Sequence, residues 1–215
     1  MQTNKQTNNK QTNNSNKQTQ QADKALTALV QQSAYDHQVP TFQHHMTLGT
    51  IQNKTLEESQ QLTTLLAQQI DGPIETTLNM LSATPDAFFR WIKINDCLIE
   101  IELNPSSHLS ISSLSQRCIF VTVNSNAQLE QARAHHARII GGGKYPYVDH
   151  ISLLYSNIDE KQRQEYIKKL NPEVVKDVPI KFDRLLLVDV RSGEEYTKWK
   201  VVQTVVLKSA VPNKQ

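Results

Sequence analysis

The sequence predicts an α+β fold with mostly antiparallel sheets, and three observations lead to that prediction. Segments with apolar residues at helical spacing are mixed with short runs that alternate apolar and polar residues. The two kinds of segment do not follow one another in the regular order of a βαβ fold. Turn-forming residues, such as Asp71-Gly72-Pro73, separate them. The length of 215 residues suits one domain of ordinary size or a compact two-lobed one.

The first segment, residues 1–21, is a polar repeat. It reads MQTNKQTNNKQTNNSNKQTQQ and has no apolar residue after Met1. Such a segment cannot bury enough surface to offset the entropy that ordering would cost. We therefore predict a disordered Gln/Asn/Thr-rich tail over 1–21, followed by a single domain over 22–210. An aggregation-prone Asn/Gln tract is the alternative for the tail.

Helices and strands are predicted from the periodicity of the apolar residues. The clearest helix is 55–70, in which Thr55 can cap the first turn and Glu58 completes a capping box. The other predicted helices cover 22–35, 126–140 and 159–170. Strands are predicted at 41–51, 88–103, 117–123, 150–156, 179–190 and 198–208. The second of these contains either one strand or a hairpin that turns at Asn95-Asp96.

Composition excludes several classes of protein. A formal net charge of +2 provides no polyanion-binding field over the whole surface, so we expect no stable nucleic-acid partner. Two cysteines, Cys97 and Cys118, make neither a disulfide framework nor a zinc motif, and each is interpreted as a small buried hydrophobe. No apolar run approaches the ~20 residues of a membrane span, and the N-terminus lacks the apolar core of a signal peptide. These features predict a cytoplasmic monomer with reduced thiols and no membrane contact.

Two similar segments carry the residues that can do chemistry. FQHHMTLGTI contains His45-Met46-Thr47-Leu48, and YVDHISLLYSNI contains His150-Ile151-Ser152-Leu153. Both read histidine, apolar residue, hydroxyl residue, leucine, and both lie on predicted strands. Since side chains alternate between the two faces of a strand, the histidine and the hydroxyl of each segment share one face. One such segment is common, but two copies separated by about half a domain are much more specific.

The two segments together predict acid–base chemistry on a phosphate. Imidazole titrates near neutral pH, so one ring can be neutral while the other is protonated. The hydroxyls of Thr47 and Ser152 can donate hydrogen bonds to phosphate oxygens as negative charge builds there. These groups can hydrolyse a phosphodiester without help, so we expect neither a metal nor another cofactor.

The two segments resemble the motifs of the 2H phosphoesterase superfamily, and most closely those of its fungal and plant cyclic phosphodiesterase family. HISLLY is nearly the second motif of that family, and FQHHMTLGTI is similar to the first. The resemblance covers about residues 23–207. The chain departs from the family pattern at His44 and Asp149, because proline usually precedes each motif histidine. It also departs at the polar repeat, which occupies the place of a short apolar strand.

The resemblance implies a two-lobed, pseudo-symmetric fold with antiparallel sheets, outer helices and a central cleft. It implies a small cyclic nucleotide as substrate. The reaction would be hydrolysis of a nucleoside 2′,3′-cyclic phosphate to the nucleoside 2′-phosphate, or of ADP-ribose 1″,2″-cyclic phosphate to ADP-ribose 1″-phosphate. The second substrate is a by-product of tRNA splicing. Fungal members of the family have been placed at the Golgi, which makes that compartment an alternative to the cytoplasm.

The resemblance also implies roles for particular residues. His45 and His150 would be catalytic, with His45 as the general base and His150 as the general acid, although the sequence does not decide which is which. Thr47 and Ser152 would bind the phosphate. An aromatic residue at the place of Tyr155 lines the substrate site in the family, which here requires the strand to bend or end near Leu154.

The remaining predictions concern histidines outside the motifs and two alternative functions. His44 faces away from His45 in a regular strand, and His135 and His136 are expected to face solvent because they lack the spacing of a helical metal pair. A 2H enzyme acting on RNA ends or 2′–5′ linkages is an alternative that requires a basic, aromatic-lined groove. A non-catalytic nucleotide- or RNA-binding module is the other.

Overall fold

The computed structural model describes residues 3–83, 97–102, 118–141, 148–156, 158–191 and 199–208. The α-helices in these ranges are α1 (Thr3–His37), α2 (Leu56–Gln69), α3 (Ala127–Ile140) and α4 (Glu160–Lys169). The strands are β1 (His45–Ile51), β2 (Ile74–Ala83), β3 (Cys97–Glu102), β4 (Cys118–Val123), β5 (His150–Tyr155), β6 (Pro179–Phe182), β7 (Arg184–Asp189) and β8 (Lys200–Val206).

The strands of the described ranges form one sheet in the order β6-β2-β4-β5-β1-β3-β7-β8. Every neighbouring pair in this order is antiparallel. The two motif strands, β1 and β5, are neighbours at the centre, with three further strands outside each of them. The predicted α+β class with antiparallel pairing is therefore confirmed.

The four helices pack against one face of the sheet, which we call the back face. His136 of α3 lies against Gly49 of β1, and Gln203 of β8 donates a hydrogen bond to Thr64 of α2. Gly49 and Gln203 belong to one cross-strand row and therefore point to the same side. α4 joins α1 on this side, because the Tyr166 hydroxyl donates to Asp36 at 2.7 Å. Among the described residues, no helix covers the opposite face, which we call the front face.

The hydrophobic core lies between the helices and the back face. α1 contributes Leu26 and β1 contributes Met46, and both are almost completely buried. Leu66 of α2 and Ile151 of β5 are equally buried. Each such side chain stabilises the fold by roughly 1.5–3 kcal/mol relative to an exposed position. The core therefore ties both motif strands to the helices behind them.

The predicted start of α2 is confirmed in atomic detail. The Thr55 hydroxyl accepts a hydrogen bond from the Glu58 N–H, and the Glu58 carboxylate accepts from the Thr55 N–H at 2.8 Å. This reciprocal capping box satisfies two backbone groups that the first helical turn leaves without intrahelical partners.

Residues 1–21 were predicted to form a disordered tail. The structure differs, because α1 begins at Thr3 and continues without a break to His37. The described buried side chains of α1 begin at Ala22 and continue through Leu26, Val30 and Ala34. This apolar stripe packs into the core, where it can provide the nucleus from which a helix extends. Once a nucleus exists, each further residue adds a hydrogen bond without a new nucleation cost, so a polar segment can extend the helix.

The structure also differs from the predicted strands in two places. The segment 179–190 was expected to be one strand, but it divides at Asp183 into β6 and β7, which pair with β2 and β3 on opposite sides of the sheet centre. β2 was not predicted at all, although its first half contains three β-branched residues, Ile74, Thr76 and Thr77. The expected hairpin turn at Asn95-Asp96 lies outside the described residues. None of the described helices is long and apolar enough to span a bilayer.

Candidate active site

The pairing of β1 with β5 brings the two motifs together. Met46 pairs with Ile151 across the two strands, and both side chains are buried on the back face. Continuing this antiparallel register by one residue sets His45 opposite Ser152 and Thr47 opposite His150. Directly opposite Cβ atoms lie about 4.5–5.5 Å apart and diagonal ones about 7–8 Å. The four predicted site residues therefore form a compact quartet on the front face.

Each motif strand has a β-bulge at the leucine that follows the hydroxyl. On β1, Thr47 and Gly49 pair with consecutive residues of β3, which leaves Leu48 as the extra residue. On β5, Ser152 and Leu154 pair with consecutive residues of β4, which leaves Leu153 as the extra residue. A bulge bends its strand and changes the face to which the following side chains point. The two motifs thus share their backbone geometry as well as their residue types.

The bulge on β5 decides the position of Tyr155. Ser152 pairs with Phe120 and Tyr155 pairs with Cys118, two residues away on β4. Residues two apart on a regular strand share a face, so Tyr155 lies on the same front face as Ser152. In an unbroken strand it would lie on the back face. The bend that the sequence required near Leu154 is therefore present, one residue earlier.

Both motif histidines make the same backbone contact. Nδ1 of His45 lies 2.8 Å from the carbonyl oxygen of Gln43, and Nδ1 of His150 lies 2.9 Å from that of Val148. A carbonyl oxygen can only accept, so Nδ1 carries the proton in both rings. In this tautomer, Nε2 is the ring nitrogen that takes up or gives up a proton at the site.

The pKa of His150 lies below its ordinary value of 6.5. Burial is the main cause, and the nearby charges of His45 and Arg133 lower this pKa further, whereas the hydrogen bond to Val148 opposes the change. The effect of His45 on His150 also reflects how close the two rings are. His150 is half-buried and His45 is 4% exposed, so neither ring is surrounded by bulk water. The two hydroxyls differ, since Ser152 is buried and Thr47 is exposed.

Aromatic rings surround the two histidines. Phe42 contacts the His45 ring edge-on at a centroid distance of 6.3 Å and the Tyr155 ring at 4.9 Å. Phe120 of β4 contacts the His150 ring at 4.8 Å. Phe42 and Phe120 were not predicted as site residues, because nothing in their local pattern indicates which strand they approach. They limit the rotation of the imidazoles and lower the polarity around them.

The residue before each motif histidine points to the back face and contacts a helix. Nε2 of His44 lies 2.9 Å from the Asp23 carboxylate on α1. Asp149 forms an ion pair with Arg133 on α3. The side chains of His44 and Asp149 are 6% and 5% exposed. The prediction that His44 faces away from His45 is therefore confirmed, and Asp149 has the same orientation.

The solvent-facing prediction is wrong for His136. Its ring is buried against Gly49, and a Cβ atom added to that glycine would lie 2.3 Å from its Nε2. His135 is half-exposed and contacts Arg138. Within the described ranges, no group of three or more histidine, cysteine or carboxylate side chains is arranged to hold a metal ion.

Comparison with known proteins does not assign the chain to a family. No protein-family model matches it, and no curated protein matches it significantly. The function must therefore be inferred from the motif residues and their geometry.

Proposed function

We propose that this protein is a 2H phosphoesterase that hydrolyses small cyclic phosphodiesters without a metal. Its substrates are nucleoside 2′,3′-cyclic phosphates, ADP-ribose 1″,2″-cyclic phosphate, or both. The proposal depends above all on one observation: two His-x-Thr/Ser motifs lie on paired antiparallel strands and present their four functional side chains on one face. A random pair of such motifs has no reason to be adjacent in a sheet of this size.

The symmetry of the surroundings supports the proposed two-lobed, pseudo-symmetric 2H fold. Four strands lie on each side of the contact between β1 and β5. Each motif has its bulge at the same leucine, and each motif histidine bonds the carbonyl two residues earlier. In this proposal, the lobes meet at the β1/β5 contact, and the substrate occupies the front face above it.

The proposed mechanism is in-line attack by water on the phosphorus atom, with departure of one ribose oxygen. The lowered pKa of His150 favours a neutral ring, which supports His150 as the general base that takes a proton from water. His45 then acts as the general acid and gives a proton to the leaving oxygen. This reverses the roles that we first assigned from the sequence. His45 and His150 occupy diagonal positions on the paired strands, and diagonal neighbours about 7–8 Å apart leave room for a phosphate between the two rings.

The hydroxyls and the aromatic rings bind the rest of the substrate. Thr47 and Ser152 lie beside the opposite motif's histidine, where each can donate a hydrogen bond to a non-bridging phosphate oxygen. Tyr155, half-buried and backed by Phe42, presents an aromatic ring on the same face. A nucleobase or ribose can pack against that ring, and such stacking is worth about 1–3 kcal/mol per base.

Hydrolysis of 2′,3′-cyclic AMP in the presence of EDTA tests the proposal. We expect turnover to the 2′-phosphate, and we expect His45→Ala and His150→Ala each to lower kcat by about 10²–10⁴-fold, because each removes a positioned acid or base. His135→Ala is the matched control, since His135 is a half-exposed histidine on α3 outside the quartet. It should retain wild-type kcat.

The same assay separates the alternatives. Turnover of RNA ends or 2′–5′ linkages with none of the mononucleotide would replace the proposed substrate class. Tight binding of the cyclic nucleotide without turnover of any of these substrates would instead indicate a binding module. Wild-type rates in either motif histidine variant would refute the catalytic assignment.

A further inference from the structure

The residue before each motif histidine is a buried, ionisable side chain held by a helix on the back face. His44 contacts Asp23 of α1, and Asp149 contacts Arg133 of α3. We call Asp23–His44 and Arg133–Asp149 the back-face pairs. The acidic residue of the first pair, Asp23, lies on the helix, whereas the acidic residue of the second pair, Asp149, directly precedes the strand. His44 and Asp149 occupy the two positions at which the 2H family pattern usually has proline.

These two positions lie inside the hydrogen-bonded rings that orient the imidazoles. The His45 ring bonds the carbonyl of Gln43, so the closed ring of atoms passes through the backbone of His44. The His150 ring bonds the carbonyl of Val148, and the corresponding ring passes through Asp149. The backbone angles of the middle residue therefore decide whether Nδ1 can reach its acceptor. Fixing the side chain of that residue restricts those angles.

Burial makes the back-face pairs effective anchors. A buried ionisable side chain that loses its partner leaves an uncompensated polar or charged group, so each pair resists separation. Asp149 is held a second time, because its carbonyl oxygen accepts a hydrogen bond from the Val123 N–H at 2.7 Å. Each pair also connects a motif strand to the helix that precedes it in the chain, α1 for β1 and α3 for β5.

We propose that Asp23–His44 and Arg133–Asp149 are positioning pairs that hold His45 and His150 in their Nδ1-protonated, catalytically oriented state. The proposal rests on the proposed function for its kinetic consequences, but its structural consequence can be measured without any substrate. The four residues act through the histidines and do not touch the substrate, since they lie on the opposite face of the sheet.

Kinetics of helix-side variants provide the first test. Asp23→Ala and Arg133→Ala should each lower kcat by about 10- to 100-fold with little change in KM, because a misdirected acid or base affects the transition state more than binding. Asp23→Glu and Arg133→Lys keep the charge and should recover most of the lost kcat. Tyr166→Phe is the matched control. It removes a back-face hydrogen bond to Asp36 that connects two helices and contacts neither motif.

Circular dichroism of every variant confirms that it is folded before its kinetics are compared. A folded alanine variant with kcat close to wild type would overturn the proposal for that pair. An equal loss of kcat in Tyr166→Phe would also overturn it, because the effect would then follow from general destabilisation of the back face.

Nitrogen-15 NMR of the imidazole rings provides the second test. At alkaline pH, where imidazole rings are neutral, the wild-type protein should show the Nδ1-protonated tautomer for both motif histidines. Arg133→Ala should change the tautomer ratio of His150 and leave His45 unchanged, and Asp23→Ala should do the reverse. Unchanged tautomers in both alanine variants would overturn the proposal, even in an active enzyme. The expected tautomer changes in a protein that hydrolyses no cyclic phosphate would support the positioning pairs and reject the proposed function.

Discussion

At the scale of single residues, the two motif histidines share a tautomer but differ in their surroundings. Both donate from Nδ1 to the carbonyl two residues earlier. Burial lowers the pKa of His150, and the charges of His45 and Arg133 act on it in the same direction. The structure therefore lowers the affinity of the His150 ring for a proton, which suits the base of an acid–base pair.

The lowered pKa of His150 predicts the pH dependence of the reaction. If His150 is the base, kcat/KM should rise with pH through the pKa of His150, with a midpoint below the ordinary value of 6.5. A pH–rate profile with 2′,3′-cyclic AMP measures this midpoint, and an NMR titration of the His150 ring provides the matching assignment. A midpoint above 6.5 would contradict His150 as the base and restore the roles first assigned from the sequence.

The close contact between Gly49 and His136 predicts that a larger residue at position 49 destabilises the fold. A Cβ atom at this position would lie 2.3–2.9 Å from three ring atoms of His136. The buried ring must therefore shift, and we expect Gly49→Ala to lower the free energy of unfolding by about 1–3 kcal/mol, as overpacking does in other cores. Urea denaturation measures this loss.

A double-mutant cycle checks the cause of that loss. His136→Ala removes the ring, so the double variant should be more stable than the sum of the two single effects predicts. Additive effects would show that the ring is not the obstacle at Gly49.

At the scale of secondary-structure elements, the bulges are the feature that organises the site. A regular β5 would present His150 and Ser152 on the front face and Tyr155 on the back face. The extra residue at Leu153 returns Tyr155 to the front face, where it meets Phe42. The same device at Leu48 lets β1 continue under α3 through Gly49. The two bulges therefore allow each strand to pack against the helices and still present its site residues on the front face.

The length of α1 predicts the effect of a truncation. The described buried side chains of this helix begin at Ala22. Residues 2–19 contain no apolar side chain that could add to the core. Deleting them should therefore change the free energy of unfolding by less than about 0.5 kcal/mol and should leave kcat unchanged. Thermal and urea denaturation measure the stability.

A longer deletion provides the control for that truncation. Removing residues 2–30 also removes Leu26, Leu29 and Val30, each worth roughly 1.5–3 kcal/mol when buried. This variant should be severely destabilised. A comparable loss in the shorter deletion would mean that the polar part of α1 contributes to the fold.

At the scale of the whole molecule, three histidines connect stability to pH. The pKa values of His37, His136 and His150 all lie below 6.5, and burial is the largest cause in each. Below pH 6.5, the unfolded chain therefore binds more protons at these sites than the folded protein does. Folding stability contributed by the neutral rings is present above this pH and is lost as the pH falls.

We expect the urea concentration at the unfolding midpoint to decrease as the pH is lowered from 7.5 to 5, a range above the pKa of most carboxylates. His136→Gln should show a smaller fall than the wild type, because it removes one of the buried imidazoles. A urea midpoint that stays constant over this range would contradict the assigned direction of the shifts.

Several predictions from the sequence failed where the outcome depended on distant contacts. The segment 179–190 was predicted as one strand, yet its two halves pair with β2 and β3. Residues 1–21 have no apolar side chain after Met1, yet from Thr3 they extend a helix that is anchored by later residues. His136 was expected to face solvent but lies buried over Gly49 of β1. In each case, the decisive partner is far away in the chain.

The sequence alone determined the α+β class, most helix and strand positions and the two motifs, because periodicity and capping are local properties of the chain. It also determined that each histidine shares a strand face with its hydroxyl, since alternation follows from strand geometry. Only the tertiary structure decided that β1 and β5 are paired, that bulges follow both hydroxyls, and that helices hold His44 and Asp149 from behind. Strand pairing and register depend on side chains brought together from about a hundred residues apart, and no local pattern encodes that choice.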